Sequence, residues 1–459
     1  MHAVRKYLAK WAEPETALAG SVDARYDRCL VVPACRERGA LLDGYLGAAR
    51  SSPGRTLCIL VVNGREDASA SHHAENAALL DELRAALHGS RFLPHGGAFL
   101  GATTESALDV LVVDRASAGH RLPPKAGVGL ARKIGMDLAL GLYVAGKVTS
   151  PVIFCTDADV TLPASHFERP GLDAPGVAAH VFPFWHVPSG DADVTRATAL
   201  YELSLRYYVA GLAFAGSPYA FHTLGSAMAV DAASYAAVRG TPRREAGEDF
   251  YLLGKLAKVG RVARAGGPTV RIQSRASDRT PFGTGAGVAQ GLSSATAAFY
   301  APEVFVALAR FLRALDDVAR SGEVARLHDE NAGLRPEEWE AARRALLVSS
   351  GRESLDAAVR DAPSSEARRV RLHEWFDSFR TLKFIHALRD GAWPSVPRGA
   401  ALTRAPFTPA FDGLLDETQE GDRLIDGVRA AFASAEVDAA TFLGRARSRP
   451  PSVISRERP

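Results

Sequence analysis

The first half of the chain alternates short apolar runs with longer amphipathic stretches. Four runs are apolar almost throughout and have the length of strands, at residues 29–33, 56–62, 108–114 and 151–155. Helical periodicity follows the first three, at residues 38–50, 74–87 and 128–142. Strands that are apolar on both faces are expected where helices cover both faces of a sheet. The pattern therefore predicts an α/β domain with a mostly parallel sheet.

From residue 301 the pattern changes to long helical segments rich in Ala, Leu, Arg and Glu, at residues 302–318, 336–348 and 364–389. A further helix is predicted over residues 420–433, and residues 445–459 have the composition of a disordered tail. The predicted division is an N-terminal extension over 1–25, the α/β domain over 26–300, a helical domain over 301–395, and an irregular C-terminal extension over 396–459.

Composition narrows the class of protein. The 459 residues are 47% hydrophobic and 23% charged, which is typical of a globular chain. The formal net charge of +3, with acids and bases interspersed, is too small to indicate binding to nucleic acid. The four cysteines have no C-x-x-C spacing, which favours reduced thiols over a disulfide or zinc framework.

Two observations argue against secretion and membrane insertion. Residues 1–15 lack an apolar core followed by a small-residue cleavage site. The longest uncharged stretch, residues 207–230, is interrupted by glycine, proline and histidine, whereas a membrane span needs ~20 uninterrupted apolar residues. We therefore expect a cytoplasmic protein without a membrane span, in which residues 207–230 form a buried helix, a loop and a strand.

Two carboxylates follow the fourth predicted strand. Asp157 and Asp159 are separated by one residue, and the change from strand to turn lets both reach the same side of the sheet edge. Hard oxygen ligands suit Mg²⁺ or Mn²⁺, and an ion held there would bridge the two phosphates of a nucleotide diphosphate. A D-x-D pair alone is also compatible with a solvated turn or a helix cap.

The order of polar motifs resembles glycosyltransferase family 2, whose GT-A fold (Rossmann-like) ends its fourth strand in a D-x-D motif. The matching segments are PACRE at 33–37, VNGRED at 62–67, KAGVGLARK at 125–133, DAD at 157–159, residues 225–230, and GED at 247–249. They resemble, respectively, the family's P-A-x-x-E turn, V-D-G-x-x-D loop, G-x-x-x-A-R-N segment, D-x-D motif, acceptor-site strand and E-D motif. The resemblance spans about residues 28–265. It implies transfer of a sugar from a nucleotide-sugar donor, a UDP- or GDP-sugar, to a hydroxyl acceptor.

The resemblance also implies which residues contact the nucleotide. The family places the base and ribose against the first two strand ends, which correspond to Pro33, Glu37 and Asn63, and the donor also reaches Asp157. Asn63 departs from the family's usual Asp, and an amide both donates and accepts where a carboxylate only accepts. The alternative is that Pro33 terminates the strand and Glu37 is an acid at the start of a helix.

Lys125 and Arg132 are candidates for the diphosphate. They stand at the two ends of a glycine-containing turn that leads into a helix, where backbone N–H groups and the positive helix end favour anions. Arg132 is the better match to the family's segment. The alternative interpretation is that both residues are solvated surface cations.

Glu248 and Asp249 precede an apolar helix. In inverting members of the family the second acid of this motif deprotonates the acceptor hydroxyl, so the resemblance implies Asp249 as the general base. Glu248 would then position the substrate or the start of the helix. The competing interpretation is a pair of N-terminal acids that complements the helix dipole.

The segment 271–285 combines three arginines with hydroxyl residues and glycines. Arg275 and Arg279 are candidates for binding phosphates or an anionic acceptor, and Asp278 is a candidate further metal ligand. A well-bonded structural loop is the alternative. His222 is a candidate for lining the acceptor pocket, although a histidine in apolar context is also expected as a satisfied core residue.

Three functions are compatible with these residues. The first is sugar transfer with Mn²⁺ or Mg²⁺. The second is a non-catalytic nucleotide-sugar-binding or scaffold protein, in which the helical region mediates assembly into an oligomer. The third is a nucleotidyltransferase, which would favour a glycine-rich loop with a basic residue directly after the first strand; residues 33–37 contain no glycine, which disfavours it.

Overall fold

The computed structural model describes residues 2–94, 97–104, 107–275, 288, 298–329, 331–347 and 351–408. This part of the chain forms two compact units. Unit one comprises residues 2–189 and 223–275, and unit two comprises residues 190–222 together with those described from 288 to 408. The helix predicted at 420–433 and the tail predicted at 445–459 lie outside the described residues.

The strands of unit one belong to two sheets. In chain order they are β1 Arg28–Ala34, β2 Thr56–Asn63, β3 His88–Phe92, β4 Phe99–Ala102, β5 Leu108–Arg115, β6 Val152–Cys155, β7 Val160–Thr161, β8 Val177–Val181, β9 Phe184–Val187, β10 Met228–Asp231, β11 Arg261–Arg264 and β12 Val270–Gln273. The larger sheet has the order β11-β8-β10-β6-β1-β2-β5-β4-β3, and the smaller sheet has the order β7-β12-β9.

The centre of the larger sheet is parallel. β1 pairs in parallel with β2 and β6, and β2 pairs in parallel with β5. β3, β4 and β10 run antiparallel to their neighbours. Every residue of β1, β2 and β6 is buried, as expected for strands covered on both faces. The predicted α/β class is confirmed, and the four predicted strands correspond to β1, β2, β5 and β6.

The helices of the first 260 residues are α1 His2–Lys10, α2 Asp43–Ser51, α3 Ala70–Ala86, α4 Val128–Val144, α5 Ala192–Phe214, α6 Ala232–Ala237 and α7 Glu248–Val259. The helix predicted over 38–50 begins instead with a 3₁₀ turn at Gly39–Leu42, which α2 follows directly. The helix predicted over 74–87 starts earlier, because the Ser69 side chain caps α3 by accepting a hydrogen bond from the His72 backbone N–H.

Helix α4 carries charged side chains into the interior of unit one. Its residues from Gly129 to Leu142 are all buried, and they include Arg132, Lys133 and Asp137. Gly135 permits a close approach to the sheet, since a Cβ at this position would lie 2.4 Å from Val31 Cγ1. Because buried charges are costly unless they are paired, each of these three side chains needs partners from other elements.

Asp137 fastens the N-terminal segment to α4. Its carboxylate accepts four hydrogen bonds of 2.6 to 2.8 Å, from Tyr7 Oη, Tyr235 Oη, the Glu13 backbone N–H and Lys133 Nζ. Lys133 Nζ also donates to Tyr7 Oη at 2.7 Å. The Asp137 residue is completely buried, so the cluster is shielded from water. The N-terminal segment is therefore an integral part of unit one.

His166 is a buried histidine that has no hydrogen-bond partner within the described part of the chain. It packs against the rings of Phe154, Phe167 and Phe182, and neither ring nitrogen is bonded. Burial lowers the pKa of His166 to about 3, so the ring stays neutral. An unmet buried polar group costs about 1–3 kcal/mol, which makes this residue a weak point of the core.

We expect His166→Phe to stabilise unit one by about 1–2 kcal/mol near neutral pH, because it removes two unbonded nitrogens from an aromatic cluster. The gain should grow as the pH falls below ~6.5, where the unfolded chain binds a proton that the folded state does not accept. Melting temperatures near pH 5 and pH 7 test this. His88→Phe, at an exposed position of β3, is the control. A loss of stability, or a gain independent of pH, would contradict the prediction.

Unit two is helical. Its helices are α5 and those at Pro302–Ser321, Ala325–Asp329, Pro336–Leu347, Gly351–Arg360, Ser365–Trp375, Ser378–Asp390 and Arg398–Arg404, and Ala298–Phe299 pairs with Val396–Pro397. The helix predicted over 364–389 is two helices, because Asp377 caps the second by accepting a hydrogen bond from the Arg380 backbone N–H. Among the described residues, every helix is too short or too polar to cross a membrane.

Helix α5 groups with the later helices. Its Gly211 packs against Phe305, where an added Cβ would lie 2.5 Å from the ring. The predicted boundary at residue 300 assigned α5 to the α/β domain, because helical periodicity indicates an apolar face without indicating what covers it. The uncharged stretch 207–230 contains the end of α5, a loop and the start of β10, as predicted.

Candidate functional site

Strand β6 brings the D-x-D motif to the carboxyl end of the parallel strands. The chain leaves β6 at Thr156, whose Oγ1 donates to the Ser226 carbonyl at 2.8 Å. Tyr45 Oη, from α2, donates to the Asp157 carbonyl at 2.9 Å. These contacts hold the backbone of the turn, while the Asp157 and Asp159 side chains remain 36% and 17% exposed. Both carboxylates are therefore accessible to a ligand.

Arg132 links the D-x-D motif to the E-D motif. Its guanidinium donates from Nη2 to Asp157 Oδ1 (2.7 Å), from Nε to Glu248 Oε1 (2.9 Å) and from Nη1 to the Gly225 carbonyl (3.0 Å). The Arg132 side chain is only 2% exposed. Two acids far apart in sequence thus share one buried cation. In the structure, protein acceptors enclose the guanidinium. The contact between Arg132 and a diphosphate stays a prediction.

Asp249 lies in the first turn of α7, beside the same Gly225 peptide. Its Oδ2 accepts from the Gly225 N–H (2.8 Å), and its Oδ1 accepts from the Phe250 N–H (2.7 Å). Burial and the neighbouring Glu248 carboxylate raise the pKa of Asp249 to about 7, although Arg132 and the two N–H groups act in the opposite direction. A carboxylate with this pKa can accept and release a proton near neutral pH.

A second arginine joins the D-x-D motif to the end of β1. Arg275 donates to the two carboxylate oxygens of Glu37 at 2.8 and 3.2 Å, and its Nη2 lies 2.7 Å from Asp159 Oδ2. The structure therefore brings together Glu37, Asp159 and Arg275, which were singled out in separate parts of the sequence. Two groups of ion pairs, one around Arg132 and one around Arg275, therefore border the carboxyl ends of β1 and β6.

Asn63 is buried at the end of β2, where it connects two strand ends. Its Nδ2 donates to the Ala34 backbone carbonyl at 2.9 Å, and the Asn63 backbone carbonyl accepts from Asn76 Nδ2 at 3.1 Å. An ionised aspartate could not make the first bond because a carboxylate has no donor. This bond gives Asn63 a structural role that an ionised aspartate could not fill. Pro33 is buried in β1, and the nucleotide contacts of Pro33 and Asn63 stay predictions.

The segment before α4 places the start of this helix beside the chain that leads into α7. Lys125 is exposed and has a left-handed φ of +65°. A Cβ at Gly127 or Gly129 would lie 2.5 Å from the carbonyl oxygen of Glu245 or Arg244, respectively. Only glycine permits this approach. The backbone contact fixes the distance between the arginine on α4 and the acids at the start of α7.

Of the predicted site residues, Asp278 and Arg279 lie outside the described residues. His222 belongs to unit two, and its place in an acceptor pocket stays a prediction. Conversely, Tyr45 contributes to the cluster without having been singled out, and Gly225 had been named only as the first residue of the segment that resembles an acceptor-site strand. The glycine next to a predicted strand was a weak signal for Gly225, whereas nothing in the sequence indicated a bond from Tyr45 to a backbone carbonyl.

The donor set fits Mg²⁺ or Mn²⁺. Within the described ranges, no three His, Cys, Asp or Glu side chains converge as a complete metal cage. Mg²⁺ is usually held by one or two carboxylates and completes its coordination with water and substrate phosphates. Asp157 and Asp159 supply hard oxygen ligands of this kind on an accessible turn. These two residues would hold the ion, which would supply charge stabilisation to a diphosphate.

Comparisons with known proteins give weak similarities of fold. No family model and no curated protein matches the chain. S. aureus TarS 1–349 in complex with UDP-GlcNAc is 9% identical, with 90% of this chain and 92% of that chain covered and a TM-score of 0.34. TarS 1–349 in a second structure is 10% identical, with 76% and 90% covered and a TM-score of 0.33. The mannosyltransferase PcManGT from Pyrobaculum calidifontis, in complex with GDP-Man and Mn²⁺, is 14% identical, with 96% and 84% covered and a TM-score of 0.31.

Proposed function

We propose that the chain is a glycosyltransferase that moves a sugar from a nucleotide-sugar donor to a hydroxyl acceptor with the help of Mn²⁺ or Mg²⁺. The supporting observation is that Arg132 contacts Asp157 and Glu248 simultaneously. A pair of potential metal ligands and a pair of potential proton acceptors therefore border the same sheet edge. That edge is where ligands of open α/β sheets bind.

In the proposed reaction Asp249 accepts the proton of the acceptor hydroxyl. The hydroxyl oxygen forms a bond to the anomeric carbon of the donor sugar, and the bond from that carbon to the phosphate oxygen breaks. The electron pair leaves with the nucleotide diphosphate. The raised pKa of Asp249 suits this role, because general-base catalysis is most efficient when the pKa lies near the working pH.

Each remaining residue has a supporting role in the proposal. Asp157 and Asp159 hold the ion, and Glu248 keeps Arg132 in place. Lys125, exposed before α4, attracts the diphosphate. Pro33 and Asn63 contact the base and ribose. The roles of His222, Asp278 and Arg279 in binding the acceptor or the phosphates stay predictions. We also propose a cytoplasmic location and a GT-A type fold for the α/β domain of residues 26–300, apart from residues 190–222, which group with the helical domain that follows.

The experiment that tests the proposal is a thermal-shift panel of UDP, GDP, ADP and CDP with and without Mn²⁺. A ligand present at one hundred times its Kd should add about 2.7 kcal/mol of apparent stability, so the correct base should stand out. We expect Asp157→Asn to abolish the part of the shift that requires Mn²⁺. Asp81→Asn, at an exposed position on α3, is the control.

Two outcomes would contradict this proposal. One is a panel in which no diphosphate shifts the melting temperature with Mn²⁺. The other is a Mn²⁺-dependent shift that survives in Asp157→Asn. Donor hydrolysis separates the enzyme from a scaffold, because a scaffold would bind the diphosphate without turning over the corresponding nucleotide sugar.

A further inference from the structure

Arg132 is a buried guanidinium whose hydrogen bonds all go to the candidate site. It lies in the second turn of α4 and is only 2% exposed, with acceptors on Asp157, Glu248 and Gly225. A buried guanidinium must satisfy its donors within the protein. Because the group is planar, donation from three nitrogens fixes the direction of each acceptor relative to the other two.

The Gly225 peptide extends this arrangement to Asp249. Its carbonyl accepts from Arg132 Nη1 (3.0 Å), while its N–H donates to Asp249 Oδ2 (2.8 Å). One route therefore runs from the Asp157 carboxylate through the guanidinium and one residue to the Asp249 carboxylate. A change in the position of Arg132 would move both carboxylates together.

The space around the guanidinium is closed on the side of Gly225. A Cβ at this position would lie 2.3 Å from Nη2 and 2.7 Å from Cζ of Arg132. The backbone conformation does not require a glycine at this position, because the φ of Gly225 is not positive. The glycine is instead required by the close approach of the arginine.

The backbone also fixes the distance from Arg132 to α7. The Gly129 N–H donates to the Arg244 carbonyl at 3.2 Å, so the first turn of α4 is bound to the segment that leads into α7. Arg132 follows Gly129 by three residues on the helix, and Glu248 follows Arg244 by four. The backbone that carries the Arg132 side chain is therefore held close to the start of α7, where the guanidinium contacts Glu248.

We propose that Arg132 is a positioning residue that sets Asp157 for the divalent cation and, through the Gly225 peptide, sets Asp249 for the acceptor proton. This inference rests on the proposed function. It assigns to one side chain the coupling between two chemically distinct halves of the site. A lysine would keep the charge but lose the planar fork, so it should not replace the arginine.

Two variants test the inference without removing any carboxylate. Gly225→Ala adds one methyl group that must displace the guanidinium, and Arg132→Lys keeps the charge while removing the fork. Gly47→Ala on α2 is the control, since a Cβ there meets nothing within 4 Å. The measurements are Mn²⁺ affinity by calorimetry in the presence of UDP and, separately, GDP, followed by kcat and KM for the corresponding nucleotide sugar.

We expect both variants to bind Mn²⁺ about 10 to 100 times more weakly, as is typical when the residue that orients a metal ligand is changed. We also expect kcat to fall about 100-fold, because a displacement of ~1 Å of a catalytic group has an effect of this size. KM for the donor should change less than kcat. Gly47→Ala should match the wild type in every measurement.

The inference is overturned if both variants fold and retain Mn²⁺ affinity within about twofold and an unchanged kcat. Arg132 would then only support the fold. If Gly225→Ala does not fold, Arg132→Lys decides the question, because it adds no atom to a packed region. If the wild type binds no Mn²⁺ with either diphosphate, the proposed function fails together with this inference.

Discussion

Asp249→Asn should abolish turnover and, at the same time, stabilise the protein at alkaline pH. Loss of a general base typically lowers kcat by about 10²–10⁴-fold, and an amide cannot accept the acceptor's proton. The stabilisation follows from the raised pKa of Asp249, which is about 7 in the folded state against 3.8 as the ordinary value. Folding is therefore less favourable at any pH at which the folded protein must hold this carboxyl in its ionised form.

The sign of the pH dependence follows from the same two pKa values. Below both values the carboxyl is protonated in the folded and unfolded states, and no penalty exists. The penalty grows through the interval between them at about 1.4 kcal/mol per pH unit and is constant above about pH 7. The asparagine amide has only one oxygen acceptor for the two backbone donors, and the lost hydrogen bond offsets about 1 kcal/mol of the stabilisation. Partial exposure of the side chain reduces the net gain near pH 8 to about 2 kcal/mol.

Melting temperatures of Asp249→Asn and the wild type near pH 5 and pH 8, together with donor hydrolysis, check this prediction. The difference between the two proteins should be clearly larger near pH 8. Asp173→Asn, at an exposed position of unit one, should change neither stability nor turnover. An equal or smaller gain near pH 8 would mean that Asp249 is not the acid with the raised pKa.

Asp137→Ala should lower the stability of unit one by about 3–5 kcal/mol, because it leaves the buried Lys133 ammonium without its main partner. The side chains of Tyr7 and Tyr235 and the Glu13 N–H would also lose their acceptor. At about 2–4 °C per kcal/mol for a unit of this size, the melting temperature should fall by at least about 6 °C. Calorimetry or scanning fluorimetry provides the measurement.

Two further variants make this second prediction specific. Asp81→Ala removes an exposed carboxylate that pairs with Arg84 at 2.8 Å, and it should cost less than about 1 kcal/mol. Lys133→Met combined with Asp137→Leu should recover part of the loss, because it removes the buried charge that the single substitution strands. A fall of less than ~2 °C in Asp137→Ala would show that the cluster is not a major contributor to stability.

The strands of the parallel centre could be predicted because each is a short apolar run between turn residues. β8 and β9 were not predicted, because polar side chains such as His180 and His186 interrupt their apolar pattern although both histidines are buried. The partner of α5 could not be predicted either, since periodicity reveals an apolar face but not the element that covers it. Which helices pack together is a tertiary property.

The site illustrates the same limit at the level of single residues. The acids Asp157, Asp159, Glu248 and Asp249 could be recognised from motif order. The buried arginine that Asp157 and Glu248 share could not. The contact of Arg132 with a diphosphate stays a prediction, and its three protein acceptors were not predicted. A clue was present: α4 has almost no polar face, so charged residues within it had to be buried and paired. For two of the three hydrogen bonds of Arg132, the partner lies more than 90 residues away along the chain.

The ion pairs of Arg132 and Arg275 also bear on how a cation would be held. Asp157 Oδ1 lies 2.7 Å from Arg132 Nη2, and Asp159 Oδ2 lies 2.7 Å from Arg275 Nη2. An ion held by both carboxylates would share each of them with an arginine, so the ion and the two guanidiniums would repel one another. Occupancy of the site should therefore weaken the ion pairs that are present without the ion.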